Sequence, residues 1–334
     1  METLTAWARS HWPAIKKWGT AGFVALVVTL LVIAATRVHW GEVLDAIAAM
    51  PADRLWIAAA VTLASYVLYC SFDLLGKWYT GHALAWWRCM MVGFISYAFT
   101  MNLGAPVGGL GMRLRLYTKQ GLAQGVTLRI MGLSLATNWI GYVMLAGIVF
   151  ALGGVRLPEG WKLGNDALRI IGVVMMLLIA GYLVLCGVSR TRSWNVHGHE
   201  IELPSLRIAL LQVSLAMVNW ALIGAVVYIL LQQKVDYVLV LGALLVSAVA
   251  GALAHIPGGL GVLESVFIAL LASSSVTRSS ILGALLVYRA IYYLLPLFIA
   301  GSWYLGAEAR MEGPHSEETG GRGVRGRCQN YPYR

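Results

Sequence analysis

The chain has 334 residues, of which 59% are hydrophobic and only 12% are charged. Soluble domains contain about 45–50% apolar and about 25% charged residues, so this composition excludes a single water-soluble domain. The formal net charge of +10 does not indicate nucleic-acid binding, because the basic residues stand between apolar runs. At such positions they set topology and attract anionic lipid headgroups. We therefore expect a membrane protein without a nucleic-acid partner.

Six apolar runs are long enough to cross a bilayer, which takes about 20 residues. They fall near residues 19–36, 55–75, 127–151, 168–187, 206–231 and 281–305. The predicted organisation is a cytoplasmic N-terminus over 1–18, a transmembrane domain over 19–305 and a disordered cytoplasmic tail over 306–334, which is rich in Gly, Arg and Glu. Between the fourth and fifth runs, we expect residues 188–205 to form a short cytoplasmic loop with a small hairpin.

Two further apolar stretches, 86–104 and 238–254, run into turns that share the sequence Gly-Gly-Leu-Gly. Proline and clustered glycine break helices, and broken backbone is tolerated in a bilayer only beside protein or a water-filled cavity. Each stretch is therefore either a full crossing or a re-entrant hairpin. The turn residues are Pro106, Gly108, Gly109 and Gly111 in the first stretch, and Pro257, Gly258, Gly259 and Gly261 in the second.

The distribution of Lys and Arg favours the re-entrant alternative. It places most cationic side chains on the cytoplasmic side, whereas two full crossings would leave the majority outside, against the positive-inside rule. The predicted fold is an all-α polytopic membrane protein with about six full transmembrane helices and two oppositely oriented re-entrant helical hairpins, at about 86–118 and 238–273. Both termini are then cytoplasmic. Broken helices of opposite orientation are typical of inverted-repeat transporters with a midplane site.

Four segments carry a resemblance to a known family: Tyr69–His82, Val107–Leu122, Leu135–Ile148 and His255–Leu271. The chain resembles the lysylphosphatidylglycerol synthase transmembrane-region family, the membrane half of bifunctional aminoacyl-phosphatidylglycerol synthase/flippases. The resemblance implies a bacterial inner-membrane location and a flippase-type or lipid-binding function, with an anionic or aminoacylated phospholipid as partner. No segment resembles the soluble aminoacyl-transferase domain. We therefore expect no enzymatic activity, and the resemblance does not identify the substrate.

Basic residues follow the first glycine turn. Arg113 and Arg115 come directly after it, with Lys119 and Arg129 further on. An arginine offers bidentate geometry to phosphate, and these residues are predicted to hold a lipid phosphate at the cytoplasmic mouth of a cavity. The alternative is topological, in which the same charges only anchor the hairpin to the cytoplasmic face.

Two charged residues are predicted deep in the membrane domain. Glu264 follows the second glycine turn, and Arg289 lies inside the last span, with Tyr292 and Tyr293 three and four residues on. Charged side chains are costly in hydrocarbon, so both should face protein or water. They are predicted either to bind a headgroup, with Tyr292 as a further lipid-binding candidate, or to form a structural ion pair with each other, and Glu264 can alternatively bind a glycine-loop N–H. Tyr292 and Tyr293 are both near enough in sequence to hydrogen-bond or shield Arg289.

Other polar residues in apolar runs have more ordinary explanations. Asp73 stands four residues before Lys77, which predicts an i,i+4 pair at the interface, although Asp73 is also a candidate lipid-binding residue. Asn138, Gln212 and Asn219 lie mid-span, where amides commonly bridge helices. Neither the dispersed cysteines and histidines nor the glycine turns predict a metal or a cofactor.

Four functions compete. The leading one is a lipid translocase or lipid-binding transporter with a midplane cavity. The second is an ion-coupled secondary transporter of a small organic solute, which would use the same broken helices. The third, a membrane-embedded enzyme, lacks a convincing Ser/His/Asp set or acidic metal motif. The fourth is a non-transporting membrane partner of a lipid-synthesis complex.

Overall fold

The computed structural model describes most of the chain. The described residues are 40–155, 157, 164–189, 193–196, 199–254, 261–273 and 276–312, with single helical positions at 22, 25, 29, 32 and 36. The predicted cytoplasmic N-terminus, most of the predicted first span and the tail beyond residue 312 lie outside the described residues.

Eleven α-helices and one two-stranded hairpin are described. The helices are α1 Trp40–Ala48, α2 Ala52–Thr80, α3 Trp86–Leu103, α4 Arg113–Lys119, α5 Gln124–Ala151, α6 Asn165–Val188, α7 Leu206–Leu230, α8 Tyr237–Ala254, α9 Val262–Leu271, α10 Arg278–Tyr288 and α11 Leu295–Glu312. Two π-helical segments interrupt them, π1 at Ala105–Met112 and π2 at Arg289–Leu294. The strands are β1 Ser193–Val196 and β2 His199–Glu202.

Five helices are long and apolar enough to cross a membrane: Ala52–Thr80, Gln124–Ala151, Asn165–Val188, Leu206–Leu230 and Arg278–Gly306, the last of which combines α10, π2 and part of α11. They coincide with five of the six predicted spans, and the all-α polytopic fold is confirmed. Helix α11 continues to Glu312, past the predicted end of the last span at residue 305. Residues 306–312, predicted as the start of the disordered tail, are therefore helical.

The spanning helices pack closely through small residues. Helix α2 contacts α3, α5 and α7, and α5 in turn contacts α6 and α7. A Cβ atom on Gly141 of α5 would lie 2.2 Å from the Cβ of Ala216 on α7, so only glycine allows this approach. Small residues at interfaces are the usual means by which membrane helices gain packing contacts.

The first broken helix is a tight helical hairpin. The chain leaves α3 at Gly104, which has φ 85°. Segment π1 then returns along α3 so closely that a Cβ atom on Gly108 would lie 2.0 Å from the backbone N of Thr100. A side chain there would overlap the backbone of the facing limb. The break is present, but it lies at Gly104, and the predicted turn residues Pro106, Gly108, Gly109 and Gly111 belong to the helical segment π1 that follows it. The re-entrant position of this hairpin in a bilayer stays a prediction.

The second broken helix has the same general form. Helices α8 and α9 pack against each other, and α9 also contacts α10. Gly261 immediately precedes α9 as its N-cap residue, with φ 79°, and its backbone N–H donates to Glu264 Oε2 at 2.9 Å. The predicted turn residues Pro257, Gly258 and Gly259 lie outside the described residues.

The predicted small hairpin between the fourth and fifth runs is confirmed. Strands β1 and β2 pair antiparallel, with Val196 opposite His199 at one end and Ser193 opposite Glu202 at the other. The hairpin joins α6 to α7.

Candidate functional site

A cavity of about 340 Å³ lies between the two broken helices. It is lined by the end of α3, by α7, by the last turns of α8, by α9 and by two tyrosines of the last span. The lining residues are Thr100, Met101, Trp220, Ile223, Leu244, Ser247, Ala248, Gly251, Ala252, Leu263, Tyr288 and Tyr293. Most of these side chains are apolar, and the polar side-chain atoms are hydroxyls and an indole N–H. Mostly apolar walls with a few convergent polar groups are typical of ligand sites.

A charged pair stands beside this cavity. Arg289 Nε donates to Glu264 Oε1 at 2.7 Å, and the side chains are 12% and 21% exposed, respectively. The Arg289 guanidinium also lies over the Tyr293 ring, 5.5 Å from its centroid. Since Glu264 additionally accepts the Gly261 N–H, both structural alternatives predicted for this acid are present. The pair joins the second hairpin to the last span.

Tyr292 belongs to a different environment from its neighbour Tyr293. Its hydroxyl makes hydrogen bonds with Ser65 Oγ at 2.8 Å and Tyr97 OH at 3.0 Å. Ser65 Oγ in turn donates to Asn219 Oδ1 at 2.8 Å. These four side chains are buried and uncharged, and we call them the neutral cluster. Of the two tyrosines predicted to shield Arg289, Tyr293 contacts it, whereas Tyr292 belongs to the neutral cluster.

Backbone carbonyls of the π-helical segment π2 accept hydrogen bonds from neighbouring helices. Pro296 has no N–H, so the Tyr292 carbonyl lacks the donor that an α-helix would provide four residues on. The hydroxyl of Tyr66 donates to that carbonyl at 2.9 Å, and Asn102 Nδ2 donates to the Tyr293 carbonyl at 3.1 Å. Helices α2 and α3 are thereby attached to the last span. Single-turn π segments inside helices are frequent at functional sites.

A second ion pair lies in the interior of the helical bundle. Arg113 donates to Asp73 through Nε at 3.3 Å and through one terminal nitrogen at 2.9 Å. The same arginine donates to Ser134 Oγ at 3.1 Å, and Tyr117 OH donates to Asp73 Oδ2 at 2.9 Å. The charged side chains are 5% and 0% exposed. This network joins the returning limb of the first hairpin to α2 and α5.

Two sequence-based predictions are corrected by this network. The partner of Asp73 is Arg113 and not Lys77, whose ammonium donates to the His82 carbonyl at 2.7 Å. Arg113 is also buried, with its guanidinium engaged by Asp73 and Ser134, so it does not lie open at a cavity mouth. Asp73 supplies the counter-charge of the buried Arg113 guanidinium. If Asp73 were paired with Lys77 at the interface, Arg113 would have no such counter-charge.

The other basic residues behind the first turn are more accessible. Arg115 is half-buried and its Nε donates to Tyr304 OH at 2.7 Å, which ties α4 to α11. Lys119 and Arg129 are exposed. These three residues are therefore more accessible than Arg113, which is buried.

Two of the three mid-span amides bridge helices, as predicted. Gln212 donates to Thr137 Oγ1 at 2.9 Å and accepts from Tyr182 OH at 2.8 Å, which joins α5, α6 and α7. Asn219 bonds α2 through Ser65. Asn138 contributes its backbone carbonyl, which accepts from Trp220 Nε1 at 3.4 Å.

The tyrosines and the serine around Tyr292 were not predicted as site residues. Ser65, Tyr66 and Tyr97 lie in apolar runs, where tyrosine counts as an ordinary hydrophobic residue. A usable signal was present, because buried tyrosine hydroxyls generally need partners and a Pro in the last span leaves a carbonyl without its donor.

Comparison with known proteins identifies the family. Residues 21–300 match the lysylphosphatidylglycerol synthase TM region. The inner membrane protein YbhN of Escherichia coli K12 is 44% identical over 305 residues, which cover 91% of this chain and 96% of that protein. An uncharacterized protein of Synechocystis, slr0712, is 30% identical over 303 residues, covering 89% of this chain and 93% of its own.

The phosphatidylglycerol lysyltransferase of Bacillus subtilis is a more distant relative. It is 21% identical over 267 residues, which are 76% of this chain but only 28% of that enzyme. Similarity to the lysyltransferase is thus confined to a minor part of its length. Given the full-length relatives and the five apolar spans, the chain is a multi-pass inner-membrane protein that belongs to the lysylphosphatidylglycerol synthase transmembrane-region family.

Proposed function

We propose that the protein binds a phospholipid or a lipid-like amphiphile and translocates it between leaflets. The single observation that carries the proposal is the cavity lined by both broken helices, with the Arg289–Glu264 pair beside it. In this proposal both broken helices are re-entrant and enter from opposite faces, so that the cavity lies near the bilayer midplane.

The chemistry of the cavity suits an amphiphile. Its walls are mainly apolar, which favours acyl or glyceryl groups, while the flanking arginine and glutamate offer one positive and one negative charge to a headgroup. Ligand sites of drug-like size occupy about 300–1,000 Å³, so a cavity of about 340 Å³ accommodates a headgroup and leaves the chains in the bilayer.

The size of the cavity also favours one alternative, an ion-coupled transporter of a small organic solute. The two functions differ in which substrate must be supplied to the reconstituted protein. A lipid translocase moves labelled phospholipid in liposomes without a soluble substrate, whereas a solute transporter shows solute-dependent proton or sodium flux that is insensitive to lipid type.

The test is a translocation assay in proteoliposomes with fluorescent anionic phospholipid, read by quenching of the outer leaflet. The Ala248→Trp variant places a bulky ring in the cavity and should abolish transbilayer movement. Leu177→Trp is the matched control, because Leu177 is 65% exposed on the outer face of α6 and should leave transport unchanged. If the wild-type protein neither moves nor binds labelled lipid, the proposal is refuted.

A further inference from the structure

A series of tyrosine rings joins the Asp73–Arg113 ion pair to the Glu264–Arg289 ion pair. At one end, the Arg113 guanidinium lies 6.0 Å from the centroid of the Tyr69 ring. At the other end, the Arg289 guanidinium lies 5.5 Å from the centroid of the Tyr293 ring. Both distances are within the range of cation–π attraction. We call the rings from one end to the other the tyrosine chain, which consists of Tyr66, Tyr69, Tyr97, Tyr288, Tyr292 and Tyr293.

Each ring of the tyrosine chain contacts the next. Tyr69 stacks on Tyr97, with ring centroids 3.5 Å apart and an angle of 15° between the planes. The hydroxyls of Tyr97 and Tyr292 are hydrogen-bonded at 3.0 Å. Tyr292 stacks on Tyr288 with centroids 5.5 Å apart, and Tyr288 meets Tyr293 edge-on at the same separation. The contacts therefore lead without a gap from one ion pair to the other.

The two ends of the tyrosine chain belong to different broken helices. Arg113 begins α4, the returning limb of the first hairpin, whereas Glu264 lies in the first turn of α9 in the second. Within the described part of the protein, α4 packs on α3, π1 and α5, while α9 packs on α8 and α10. The tyrosine chain thus supplies a connection between the hairpins that direct packing of α4 and α9 does not.

The centre of the tyrosine chain is braced by Tyr66. Its ring centroid lies 4.9 Å from that of Tyr97 and 5.3 Å from that of Tyr292, and its hydroxyl donates to the Tyr292 carbonyl at 2.9 Å. Five of the six rings are buried, and Tyr293 is half-buried. Since protein interiors are close-packed, a ring at this depth cannot shift without moving its neighbours. Packed side chains also move between discrete rotamers rather than by small continuous steps.

We propose that the tyrosine chain couples the two broken helices, so that loosening one hairpin also loosens the other. Tyr97 is the central member, because its ring stacks on Tyr69 while its hydroxyl bonds Tyr292. Coupling between two sites is reciprocal, so a change at Glu264 reaches α4 and a change at Arg113 reaches α9. The coupling is a property of the fold itself and goes beyond the function proposed above, since it requires no particular ligand in the cavity.

Hydrogen–deuterium exchange of the full-length protein in nanodiscs tests this coupling. Glu264→Gln weakens the ion pair of the second hairpin, and exchange is then followed in α4 of the first, where it reports the local opening equilibrium. Coupling between sites typically changes an equilibrium at least about fivefold, so exchange in α4 should accelerate by about that factor or more. Exchange in α6 should stay at the wild-type rate, because α6 packs on α5 and α7 rather than on either hairpin.

Variants of Tyr97 show whether the effect passes through the tyrosine chain. Tyr97→Leu removes the ring and the hydroxyl, so adding Glu264→Gln to it should not accelerate exchange in α4 further. Tyr97→Phe removes only the hydroxyl and should reduce the acceleration; it decides the matter if Tyr97→Leu does not fold. Tyr142→Phe is the matched control, because Tyr142 is also buried and donates to the Leu245 carbonyl at 2.7 Å, but lies outside the tyrosine chain. In this background the effect of Glu264→Gln should persist in full.

Three results would overturn the proposal. If Glu264→Gln leaves exchange in α4 unchanged, the hairpins open independently. If α4 and α6 accelerate alike, the variant has lost stability throughout, and no specific coupling exists. If α4 alone accelerates but both Tyr97 variants keep the full effect, the hairpins communicate by another route. Each reading is independent of lipid transport, so failure of the translocation assay would leave the coupling intact.

Discussion

Neutralising Asp73 should be among the most destabilising single changes in the membrane domain. The carboxylate accepts two bonds from Arg113, at 2.9 and 3.3 Å, and both side chains are almost fully buried. At an effective dielectric constant of 20, opposite charges about 3 Å apart attract by about 5 kcal/mol, a gain opposed by the desolvation of both groups. Asp73→Asn removes the attraction but leaves Arg113 buried, so we expect the free energy of unfolding to fall by about 3–5 kcal/mol.

The assay is the free energy of unfolding in mixed micelles titrated with SDS. The double variant Asp73→Leu/Arg113→Met removes both charges and should recover most of the loss, since buried ion pairs can often be replaced by apolar residues without cost. Asp53→Asn is the control, because the exposed Asp53 pairs with the partly exposed Arg54 at 3.4 Å, and such a surface pair should contribute at most about 1 kcal/mol. If Asp73→Asn lowered the free energy of unfolding by less than about 1 kcal/mol, no more than the Asp53→Asn control, the reasoning would be refuted.

Three further predictions use the same preparation. Gly108→Ala should prevent the first hairpin from closing, because its Cβ would lie 2.0 Å from backbone, whereas Gly109→Ala, at 3.6 Å from the nearest atom, should fold normally and be recovered at wild-type yield. Glu264→Gln should lower the free energy of unfolding by about 1–2 kcal/mol, less than a fully buried pair, and an unchanged SDS midpoint would contradict this. Burial and then the Lys77 charge lower the pKa of His82 from its ordinary 6.5, so the folded state prefers the neutral ring. Stability should therefore hold above pH 6.5 and decline as the pH falls below it, and His82→Gln should flatten the melting temperature over that range.

The spans and breaks could be predicted from sequence because their causes are local. A run of apolar residues long enough for a bilayer defines a helix such as α5 without reference to any other segment. Likewise, a proline with clustered glycines predicts a helix break nearby. The chain makes that break at Gly104, while Gly108 allows the close return of π1 along α3.

The partners of the charged residues could not be predicted in the same way. A local rule assigns Asp73 to Lys77, but the actual partner, Arg113, lies 40 residues away and is brought close only by the hairpin. Tyr293, and not Tyr292, lies beside Arg289 because π2 has a wider turn than an α-helix. The wider turn brings the fourth residue after Arg289 closer to it than the third. Such a change of helical register has no clear signature in an apolar run.

The central claim, that lipid enters the cavity between the broken helices, is tested most directly by photo-crosslinking. A phospholipid with a photoreactive headgroup is reconstituted with the wild-type protein, irradiated, and located by peptide mass spectrometry. The account predicts adducts on cavity residues such as Thr100, Ser247 and Tyr293, reduced in Ala248→Trp. Adducts confined to outward-facing residues such as Leu177, with cavity residues unlabelled, would contradict it.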